Sequence, residues 1–514
     1  MAVSGRGTQA SERPGSEYDV IVAGYGYAGA MAAIAAADAG ATVALFEKMP
    51  HPGGNSVLSG GSCIFGTDYD ETLAYLRMTC DDATDDEVLT AMAAGMVDLP
   101  GLMEPLVEAA GFGLVYLDRA EGAYPFPGGR QLRAMRVTRN EKFRGFEHVT
   151  GGRAGQALFA VCTENVERRP GIDVYLSTQV DRLLQVDGEV AGCEVTTNGT
   201  TRRVMARRAL VLCTGGFEHN RRLQRHYLGT ADFSSASPTG STGDGILMGQ
   251  EVGGALWHMW HLHGSYGFRM PEVPLGIRHA FVGPRDQERG PMPWIVVDGR
   301  GHRFANEYPP APQDTPIRDL IYYDADTQTY PRVPSYLIFD ERGRGLGPIG
   351  RPVMNEPSLA YEWSDDNLKE IQSGFIRRAD SIDGLADAVG LDRQALEATI
   401  SRWNDASDSG QDQDFGRPGW SMVPIRTSPF YIVPVFPVIT NTQGGLVHDA
   451  RQQVLNPWGQ PIPRLYKAGE NGSIYGHLYL LGGNNTECLI GGWIAGVNAA
   501  KERSRTSAFA TEVG

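Results

Sequence analysis

Short apolar runs alternate with a glycine-rich turn in the N-terminal part of the chain. Residues 20–23 form one apolar run, an alanine-rich segment follows, and residues 42–46 form a second apolar run that stops at an acidic residue. Apolar runs of this length are typical of buried strands, and alanine favours a helix between them. The pattern therefore predicts strand, helix and strand, which is the order of a dinucleotide-binding βαβ unit.

The turn before the predicted helix carries Gly24, Gly26 and Gly29. In a dinucleotide fold the first glycine permits a tight turn, the second lets a pyrophosphate approach the backbone, and the third lets the helix pack on the strand. The phosphates would lie at the helix N-terminus, where free N–H groups favour anions. Glu47, at the tip of the second strand, is placed to accept hydrogen bonds from ribose hydroxyls.

Length and charge limit the class of protein. The 514 residues exceed one compact domain, so two domains are expected. A net charge of −15 argues against nucleic acid and anionic membrane surfaces as partners. No apolar run approaches the ~20 residues needed to span a bilayer. Residues 1–16 are polar, which predicts a disordered tail without a signal peptide and a cytoplasmic location.

The histidines and cysteines do not form the pattern of a metal site. The six cysteines are scattered without a CxxC pair and are expected to be reduced. His258, His261 and His263 cluster in an aromatic-rich stretch, but no cysteine or acidic residue stands at ligand spacing beside them. A structural or pocket-lining role is favoured over metal binding.

Glycine-rich segments further along the chain favour FAD over NAD. Residues 53–61 contain two such clusters directly after the predicted βαβ unit, and residues 151–153 precede a helical stretch. Strand-like runs at 209–216 and 465–470 follow much later. Glycine lets the backbone run along an extended cofactor without side-chain collisions. Chain that returns to the cofactor after a long excursion suits FAD, whose length spans a domain.

In these segments the chain resembles the flavoproteins that include the fumarate reductase and succinate dehydrogenase flavoprotein subunits and the 3-ketosteroid dehydrogenases. The matching pieces are residues 24–29, 47, 53–56, 59–61, 214–216, 243–245, 301–307, 442–445 and 468–470. They follow the family's order over about residues 18–500. With the resemblance, the residues predicted to bind FAD are Gly24, Gly26, Ala28, Gly29, Glu47, Lys48, Gly54, Asn55, Ser56, Ser59, Gly60, Gly61, Val180, Thr214, Gly215, Gly216, Asp244, Glu470 and Asn485.

The resemblance implies an α/β fold in which a Rossmann-like FAD-binding domain carries an inserted α+β cap or substrate domain. The FAD-binding domain would comprise residues 17–257 and 426–514, and the cap residues 258–425, with substrate bound between cap and flavin. Composition agrees, since residues 258–425 are rich in proline, arginine and tryptophan. Within this region, residues 385–405 read as one amphipathic helix.

A second glycine-rich region lies near the C-terminus. Residues 482–485 precede a helix-like run at 486–500. Given a flavin, the N-terminus of this helix would direct its positive end at the N1–C2=O region and favour the reduced anion. An ordinary glycine-capped helix is the alternative. Glu470 would bond the ribityl chain, or else be a surface residue.

The resemblance also separates subfamilies. Dicarboxylate reductases of this family bind substrate through His and Arg, because two carboxylates need cationic partners. Those positions fall on Asn441, Ala311 and Leu480 in this chain. The loss of these cations argues against fumarate or succinate as the substrate.

The C-terminal segment is more similar to the ketosteroid Δ1-dehydrogenases, which carry Gly-His-x-Tyr before a glycine-rich turn. By that resemblance the Tyr479 hydroxyl and the Gly483 N–H hold a ketone oxygen and stabilise an enolate. The alternative for Tyr479 is a packed core aromatic. The family's Tyr base falls on Ala311, so Tyr308 is the nearest candidate, with a cap-surface aromatic as the alternative reading. Tyr116, Tyr124, Tyr475 and His477 are further candidates for proton transfer, and His477 has the most suitable ordinary pKa.

These features predict an FAD-dependent oxidoreductase that desaturates or reduces a C–C bond next to a ketone. A proton leaves or joins the α-carbon, and hydride passes between the β-carbon and flavin N5. The expected partners are a hydrophobic, steroid-like ketone, lined by Trp257, Trp260, Tyr266 and Trp294, and an unidentified electron acceptor or donor. FAD is expected to be non-covalent, since residues 59–63 contain no histidine, although His51 lies nearby.

Two other functions remain open. One is a reductase of an aryl-acrylate-like carboxylate, bound by Arg303 or Arg318. The other is a flavoprotein subunit that relies on a separate iron–sulfur partner, since the chain has no cysteine cluster of its own. A monooxygenase is less favoured, because the matching motifs belong to dehydrogenases.

Overall fold

The computed structural model describes residues 16–118, 120, 124–138, 143–149, 153–229, 232–280, 290–308, 315–351, 356 and 358–505. The predicted tail, apart from Ser16, lies outside these residues, and so does Ala311. The described strands are β1 (Glu17–Ala23), β2 (Val43–Phe46), β3 (Ser62–Gly66), β4 (Gly113–Leu117), β5 (Leu132–Thr138), β6 (Ile172–Tyr175), β7 (Thr178–Val186), β8 (Glu189–Thr197), β9 (Thr200–Leu212), β10 (Ser234–Ser235), β11 (Leu256–Trp257), β12 (Leu262–Phe268), β13 (Ile277–His279), β14 (Ile295–Val297), β15 (Ser335–Asp340), β16 (Gly350–Arg351), β17 (Arg377–Ala379), β18 (Phe430–Thr442), β19 (Gly445–Leu446), β20 (Gln453–Leu455) and β21 (Pro461–Lys467). The described helices are α1 (Tyr27–Asp38), α2 (Gly54–Leu58), α3 (Tyr69–Cys80), α4 (Asp86–Ala109), α5 (Arg153–Glu167), α6 (Arg221–Tyr227), α7 (Asp244–Glu251), α8 (Thr315–Leu320), α9 (Glu341–Arg344), α10 (Leu368–Gln372), α11 (Ile382–Val389), α12 (Arg393–Ser409) and α13 (Gly483–Lys501).

The first compact unit is built on a parallel sheet and comprises the described residues of Met1–Leu228, Pro238–Leu262 and Asn441–Gly514. The sheet order is β20–β21–β9–β1–β2–β6, and the pairs from β21 to β6 are parallel. The predicted strand–helix–strand unit is confirmed as β1, α1 and β2. Because parallel strands end at the same edge, the segments after β1, β2, β9 and β21 lie at one edge of this sheet.

Helix α1 is buried on nearly every side, as its alanine-rich sequence requires. It packs on α13 at glycines that leave no room for side chains. A Cβ on Gly492 would lie 2.4 Å from Ala28 O, and a Cβ on Gly496 would lie 2.2 Å from Ala32 O. This close contact holds the C-terminal helix against the helix of the glycine-rich turn.

The second unit comprises the described residues of 229–237 and 263–440 and has its own mixed sheet, in the order β14–β15–β18–β12–β13–β16. The sequence placed the cap at 258–425. The second unit extends further because β18 pairs with β15, with Leu337 opposite Val433. These two units give the predicted fold class, an α/β FAD-binding domain with an inserted α+β unit.

One predicted element of this unit is wrong. The single amphipathic helix expected at 385–405 is two helices, α11 and α12, because Gly390 follows α11 with φ +79°. A left-handed residue ends an α-helix, and glycine adopts that conformation readily. Separately, no described helix has both the length and the hydropathy needed to cross a membrane.

Candidate functional site

The glycine-rich turn after β1 is held so closely that side chains are excluded. Gly24 has φ +100°, and a Cβ on it would lie 2.3 Å from Cys213 O at the end of β9. A Cβ on Gly29 would lie 1.8 Å from Gly24 O. The turn therefore brings α1 directly against the ends of the two central strands.

The N-terminus of α1 faces the second glycine-rich segment. Gly26 occupies the N-cap position and has no side chain to pair the first N–H groups. Ser56 supplies one partner, since its Oγ accepts from Tyr27 N at 2.9 Å. The remaining N–H groups of the first turn are the kind of donors that bind phosphate.

Two features lie just after β2. Glu47 is an acidic residue, and Lys48 forms an ion pair with Asp244 at the start of α7. Glu47 accepts hydrogen bonds from Tyr25 N at 3.0 Å and Met49 N at 2.9 Å, and burial raises its pKa. Lys48 Nζ donates to Asp244 Oδ2 and to Thr242 Oγ1, each at 2.6 Å. The structure thus brings Lys48 and Asp244 together across 196 positions of sequence.

The segment from Ser59 to Gly61 packs on the start of α5. Tyr27 OH donates to Gly155 O at 3.0 Å and lies 3.1 Å from Ser59 Oγ. A Cβ on Gly61 would lie 2.3 Å from the carbonyl carbon of Ala154. Gly54 and Gly60 are exposed.

The segment after β9 lies beside the turn. Thr214 Oγ1 accepts from Gly245 N at 3.2 Å. A Cβ on Gly216, which follows Gly215, would lie 2.1 Å from Thr442 Oγ1. Val180, which was also predicted to bind FAD, has its side chain buried in the apolar core. Only its main chain can therefore contact a cofactor.

Glu470 lies between two asparagines at the end of the β21 segment. Asn55 Nδ2 and Asn484 Nδ2 each donate to its carboxylate at 3.4 Å. Burial and the carboxyl of Glu218 raise the pKa of Glu470 to about 8. Asn485 is directed elsewhere, since its Nδ2 donates to Ser62 O at 2.9 Å.

Glu218 was missed by sequence reasoning. It is fully buried and accepts from Thr442 N at 2.6 Å and from Thr442 Oγ1 at 3.1 Å. Burial raises its pKa to about 7. Only its position two residues after the Thr-Gly-Gly motif could have marked it.

Buried polar atoms around Glu470 indicate that this site takes a polar cofactor. Gln443 Nε2, both side-chain polar atoms of Asn471, and Asn484 Oδ1 have no hydrogen-bond partner among the described residues. Buried amide groups normally pair, and the hydroxyl and imide groups of FAD supply both donors and acceptors. The glycine turn, the bare N-terminus of α1 and this set of amides fit FAD.

Comparison with known proteins decides the family. The FAD binding domain family matches residues 19–486. The chain belongs to this family. It is therefore a flavoprotein that uses FAD, and an FAD-dependent oxidoreductase like its relatives.

Three relatives illustrate the range of this flavoprotein's family. The NADH:fumarate oxidoreductase of Klebsiella pneumoniae is 28% identical over 94% of this chain, which spans only 48% of that protein. The 3-oxosteroid 1-dehydrogenase of Mycolicibacterium smegmatis is 27% identical over 95% of this chain and 98% of its own length. The crystal structure of 3-ketosteroid Δ1-dehydrogenase from Sterolibacterium denitrificans, in complex with 1,4-androstadiene-3,17-dione, matches with a TM-score of 0.78 at 23% identity, covering 95% of this chain and 100% of that one. The last comparison establishes the fold.

The flavoprotein's C-terminal turn places two predicted site residues side by side. Tyr475 is fully buried, and a Cβ on Gly483 would lie 2.6 Å from its hydroxyl. Gly483 N–H, however, donates to Leu480 O at 2.7 Å. The prediction that this N–H is available to a substrate carbonyl is therefore wrong for this structure, because the turn that starts α13 already uses it.

Tyr479 lies just before this turn with 8% of its surface exposed. Its carbonyl oxygen accepts from Tyr124 OH at 2.9 Å, which fixes the backbone there and assigns Tyr124 a supporting contact. His477 is partly exposed on the same segment. Tyr116 is far less suitable, being 46% exposed and donating to Glu104 on α4.

Tyr308 belongs to the second unit. It is buried in the apolar core of that unit, and its ring meets Trp420 edge-on at 4.9 Å. The alternative reading of Tyr308 as a cap-surface aromatic is therefore wrong, and its role as a base stays a prediction.

Two of the three positions at which dicarboxylate reductases have cationic residues, Asn441 and Leu480, lie in the first unit. Asn441 is 4% exposed and Leu480 is fully buried. Ala311 lies outside the described residues. The two described positions therefore offer an amide and an aliphatic group where a dianion needs cations.

Arg303 is not available for a substrate carboxylate, contrary to one prediction. Its guanidinium is buried and bonds Glu307 at 2.8 Å and Asp412 at 3.0 Å. Burial alone would raise the pKa of Glu307, but Arg303 and Arg417 lower it. The Arg303 guanidinium is therefore already paired with two carboxylates inside the second unit.

The four aromatic residues expected to line an apolar site belong to different units. Tyr266 and Trp294 are core residues of the second unit, joined by a hydrogen bond from Trp294 Nε1 at 2.9 Å. Trp257 and Trp260 lie in the first unit, and Trp260 is 48% exposed. They therefore do not form one cap-domain cluster.

Proposed function

We propose that this flavoprotein desaturates or reduces a C–C bond next to a ketone in a hydrophobic, steroid-like substrate. The observation that supports the proposal concerns Tyr479 and Leu480. Here a hydroxyl group and an aliphatic side chain stand together, and the positive charge that dicarboxylate reductases have on this segment is missing. Leu480 is fully buried where dicarboxylate reductases have an arginine, and the neighbouring Tyr479 presents a phenol. A neutral ketone matches this pair, whereas a dianion would lose its hydration without gaining cations.

Tyr479 is the proposed donor to the ketone oxygen. A phenol held by a fixed backbone can donate to an oxygen on which negative charge develops, and such donors are worth most when water is excluded. The bond from Tyr124 OH to the Tyr479 carbonyl supplies that fixed backbone. Because Gly483 N–H is engaged by Leu480, the N–H groups of Asn484 and Asn485 in the first turn of α13 are better second donors.

The proton of the α-carbon needs a separate acceptor. His477 and Tyr308 are the two candidates, from the first and the second unit respectively. An imidazole is the commonest general base in enzymes, whereas a phenol must be activated. The Tyr475 hydroxyl lacks a hydrogen-bond partner among the described residues, but burial raises the pKa of Tyr475 and keeps the phenol protonated, so it cannot readily accept a proton.

FAD, when bound, supplies the hydride acceptor or donor. Glu470 is proposed to donate to the cofactor in its protonated form, and the amides of Gln443 and Asn471 to complete the site. Attachment is proposed to be non-covalent. His51, the nearest candidate for a covalent bond, stacks on the ring of His148 at 4.2 Å.

Anaerobic mixing of the holoenzyme with single compounds tests the proposal. Saturated steroid ketones are expected to bleach the visible flavin band, and steroid enones are expected to reoxidise the reduced enzyme. The panel includes succinate, fumarate and aryl acrylates. Bleaching by succinate alone, or reoxidation by aryl acrylates alone, would replace the ketone with a carboxylate substrate.

A further inference from the structure

The segment between β21 and α13 is buried although it is neither helix nor strand. Residues 471–476 are all buried. Buried N–H and C=O groups must be paired, and a segment outside regular structure finds such partners largely among side chains. The identity of those side chains shows what fixes the segment.

Two histidine side chains lie within hydrogen-bond distance of two carbonyl oxygens of this segment. His258 Nδ1 lies 2.6 Å from Ser473 O, and His261 Nδ1 lies 2.5 Å from Tyr475 O. A carbonyl oxygen only accepts, so a hydrogen bond at either contact is donated by the histidine nitrogen. His258 Nε2 also lies 2.6 Å from Ala83 O in the turn after α3, and because a neutral imidazole carries one N–H, only a doubly protonated His258 donates to both carbonyls.

The surroundings of His258 are built for this contact. Its φ of +54° lies in the left-handed region, which costs a non-glycine residue energy and persists only where other contacts enforce it. The imidazole stacks on Trp257 at 4.4 Å with an interplanar angle of 10°. A Cβ on Gly476 would lie 2.3 Å from the ring, so glycine is needed for the ring to lie there.

Three more buried side chains complete the set, which we call the loop clamp: His258, His261, Lys467, Thr84 and Glu487. Lys467 Nζ donates to Gly472 O and, at 3.4 Å, to Gly469 O. Thr84 Oγ1 donates to Ile474 O at 2.6 Å. Glu487 accepts from Ser473 Oγ at 2.6 Å and from Ile474 N at 2.9 Å.

We propose that His258 and His261 are positioning residues that hold the backbone between Glu470 and Tyr479 in its FAD-binding and substrate-binding form. Their effect on the cofactor follows from the position of Glu470 and Asn471 at one end of the clamped segment. Their effect on turnover rests on the proposed function, since Tyr479 lies at the other end. The histidine cluster singled out in the sequence thereby has a role that needs no metal.

Leucine and asparagine variants at each histidine test the proposal. Leucine removes the ring donor, whereas asparagine retains a donor near the position of Nδ1. His226→Leu is the matched control, because His226 is exposed on α6 of the same unit. Each protein is reconstituted with FAD, and FAD affinity, the visible circular dichroism of the flavin and the melting temperature are measured.

His258→Leu and His261→Leu are each expected to weaken FAD binding about tenfold or more, the effect of one buried hydrogen bond left unmade. They are also expected to change the circular dichroism of the flavin. His258→Asn and His261→Asn are expected to keep affinity within about threefold and to preserve the spectrum, with the His226 variant unchanged.

Leucine variants with wild-type affinity and spectrum would overturn the proposal. So would asparagine variants that lose FAD as fully as the leucine variants. If a leucine variant does not fold, the asparagine variant at that position decides by retaining or losing the flavin spectrum. None of these readouts uses a substrate, so failure of the ketone chemistry would leave them unaffected.

Discussion

At the residue scale, the proposed chemistry depends on a few polar side chains that are buried or partly buried next to apolar ones. Tyr479 is 8% exposed and adjoins the fully buried Leu480. Glu470 and Glu218 are two carboxyls close enough for one to raise the pKa of the other. Buried groups of this kind have strongly altered properties, so single substitutions at them give large and interpretable effects.

Replacing Tyr479 by phenylalanine removes the proposed donor to the ketone oxygen. Turnover is expected to fall by about 10²–10³-fold with FAD still bound, as for the loss of one oxyanion donor. Steady-state kinetics and the flavin absorbance of the purified protein measure the two effects. Tyr69→Phe, at an exposed position on α3, is the control. If Tyr479→Phe keeps wild-type turnover, Tyr479 is a packed core aromatic and not the donor to the ketone oxygen.

His477→Gln and Tyr308→Phe distinguish the two candidate bases. The variant that lacks the base is expected to lose about 10²–10⁴-fold in turnover. The measurement is kcat against pH for both variants, and a small effect in both would exclude the pair.

Glu470 is expected to make the flavin-free protein less stable as pH rises. Burial and Glu218 raise its pKa from 4.5 to about 8, so the folded chain keeps a proton that the unfolded chain has released. Between these values the folded state binds more protons, and the free energy of unfolding falls with increasing pH. The contribution of Glu470 to the melting temperature is therefore expected to fall as the pH rises from about 5 to about 8.

Glu470→Gln is uncharged at every pH and should flatten part of this fall. Glu218→Gln should act in the same direction, because burial raises the pKa of Glu218 as well. Glu104→Gln is a control, since Glu104 is an exposed residue of α4. A pH dependence identical in wild type and Glu470→Gln would show that Glu470 titrates normally.

At the element scale, the contact of α1 with α13 joins the two ends of the cofactor site. Gly29 sits in the turn of α1 that follows β1, and Asn484 and Asn485 lie in the first turn of α13. The contact is close because glycines on α13 face backbone carbonyls of α1. Gly469, next to Glu470, lies near both helices, since a Cβ on it would lie 3.1 Å from Ala28 Cβ and 3.0 Å from Cys488 Sγ. We therefore expect the helix–helix distance to affect how Glu470 meets the cofactor.

Gly496→Ala tests this contact. The added Cβ would lie 2.2 Å from Ala32 O, and a backbone atom cannot move aside as a flexible side chain can. The variant is expected to lose about 1–3 kcal/mol of the free energy of unfolding in chemical denaturation. Gly101→Ala is the matched control on α4, where a Cβ would meet nothing within 4 Å.

The control is expected to be neutral or to gain up to about 1 kcal/mol, because alanine favours a helix more than glycine does. FAD affinity is expected to fall in Gly496→Ala and to stay unchanged in Gly101→Ala. Equal stability of the two variants would mean that the helices can separate without cost.

At the scale of the whole molecule, the cofactor site is assembled from distant parts of one chain. The residues proposed to bind FAD come from positions 24 to 485, and the second unit is inserted between them. A cofactor that contacts distant chain segments of the first unit binds the folded state and not the unfolded one. Such binding stabilises the fold by mass action.

FAD is therefore expected to raise the melting temperature of the flavin-free protein. At a free concentration of 100 Kd the gain in stability is about 2.7 kcal/mol. Scanning calorimetry across FAD concentrations measures it, and AMP is the comparison, since it can occupy only the nucleotide part of the site. A gain from FAD no larger than the gain from AMP would place the flavin outside the buried amide cluster.

Local features of the fold could be predicted, while paired contacts could not. The βαβ unit, the glycine packing at Gly29 and the helix after residue 482 follow from residue type at short spacing. The single helix at 385–405 was wrong, because apolar periodicity continued through Gly390 although glycine permitted a break there. Arg303 was wrongly predicted as a substrate ligand because one of its two partners, Asp412, is 109 positions away, although the other, Glu307, is only four residues further on.

The sequence by itself determined the cofactor class and the loss of cations at Asn441 and Leu480. Both depend on which residue type occupies a motif position, and a motif is local. Only the tertiary structure showed that Gly483 N–H donates a hydrogen bond to Leu480 O. Only the tertiary structure likewise showed the contact of His258 Nδ1 with Ser473 O. The latter bond joins residues 215 positions apart, and no local pattern records which buried carbonyl a side chain will meet.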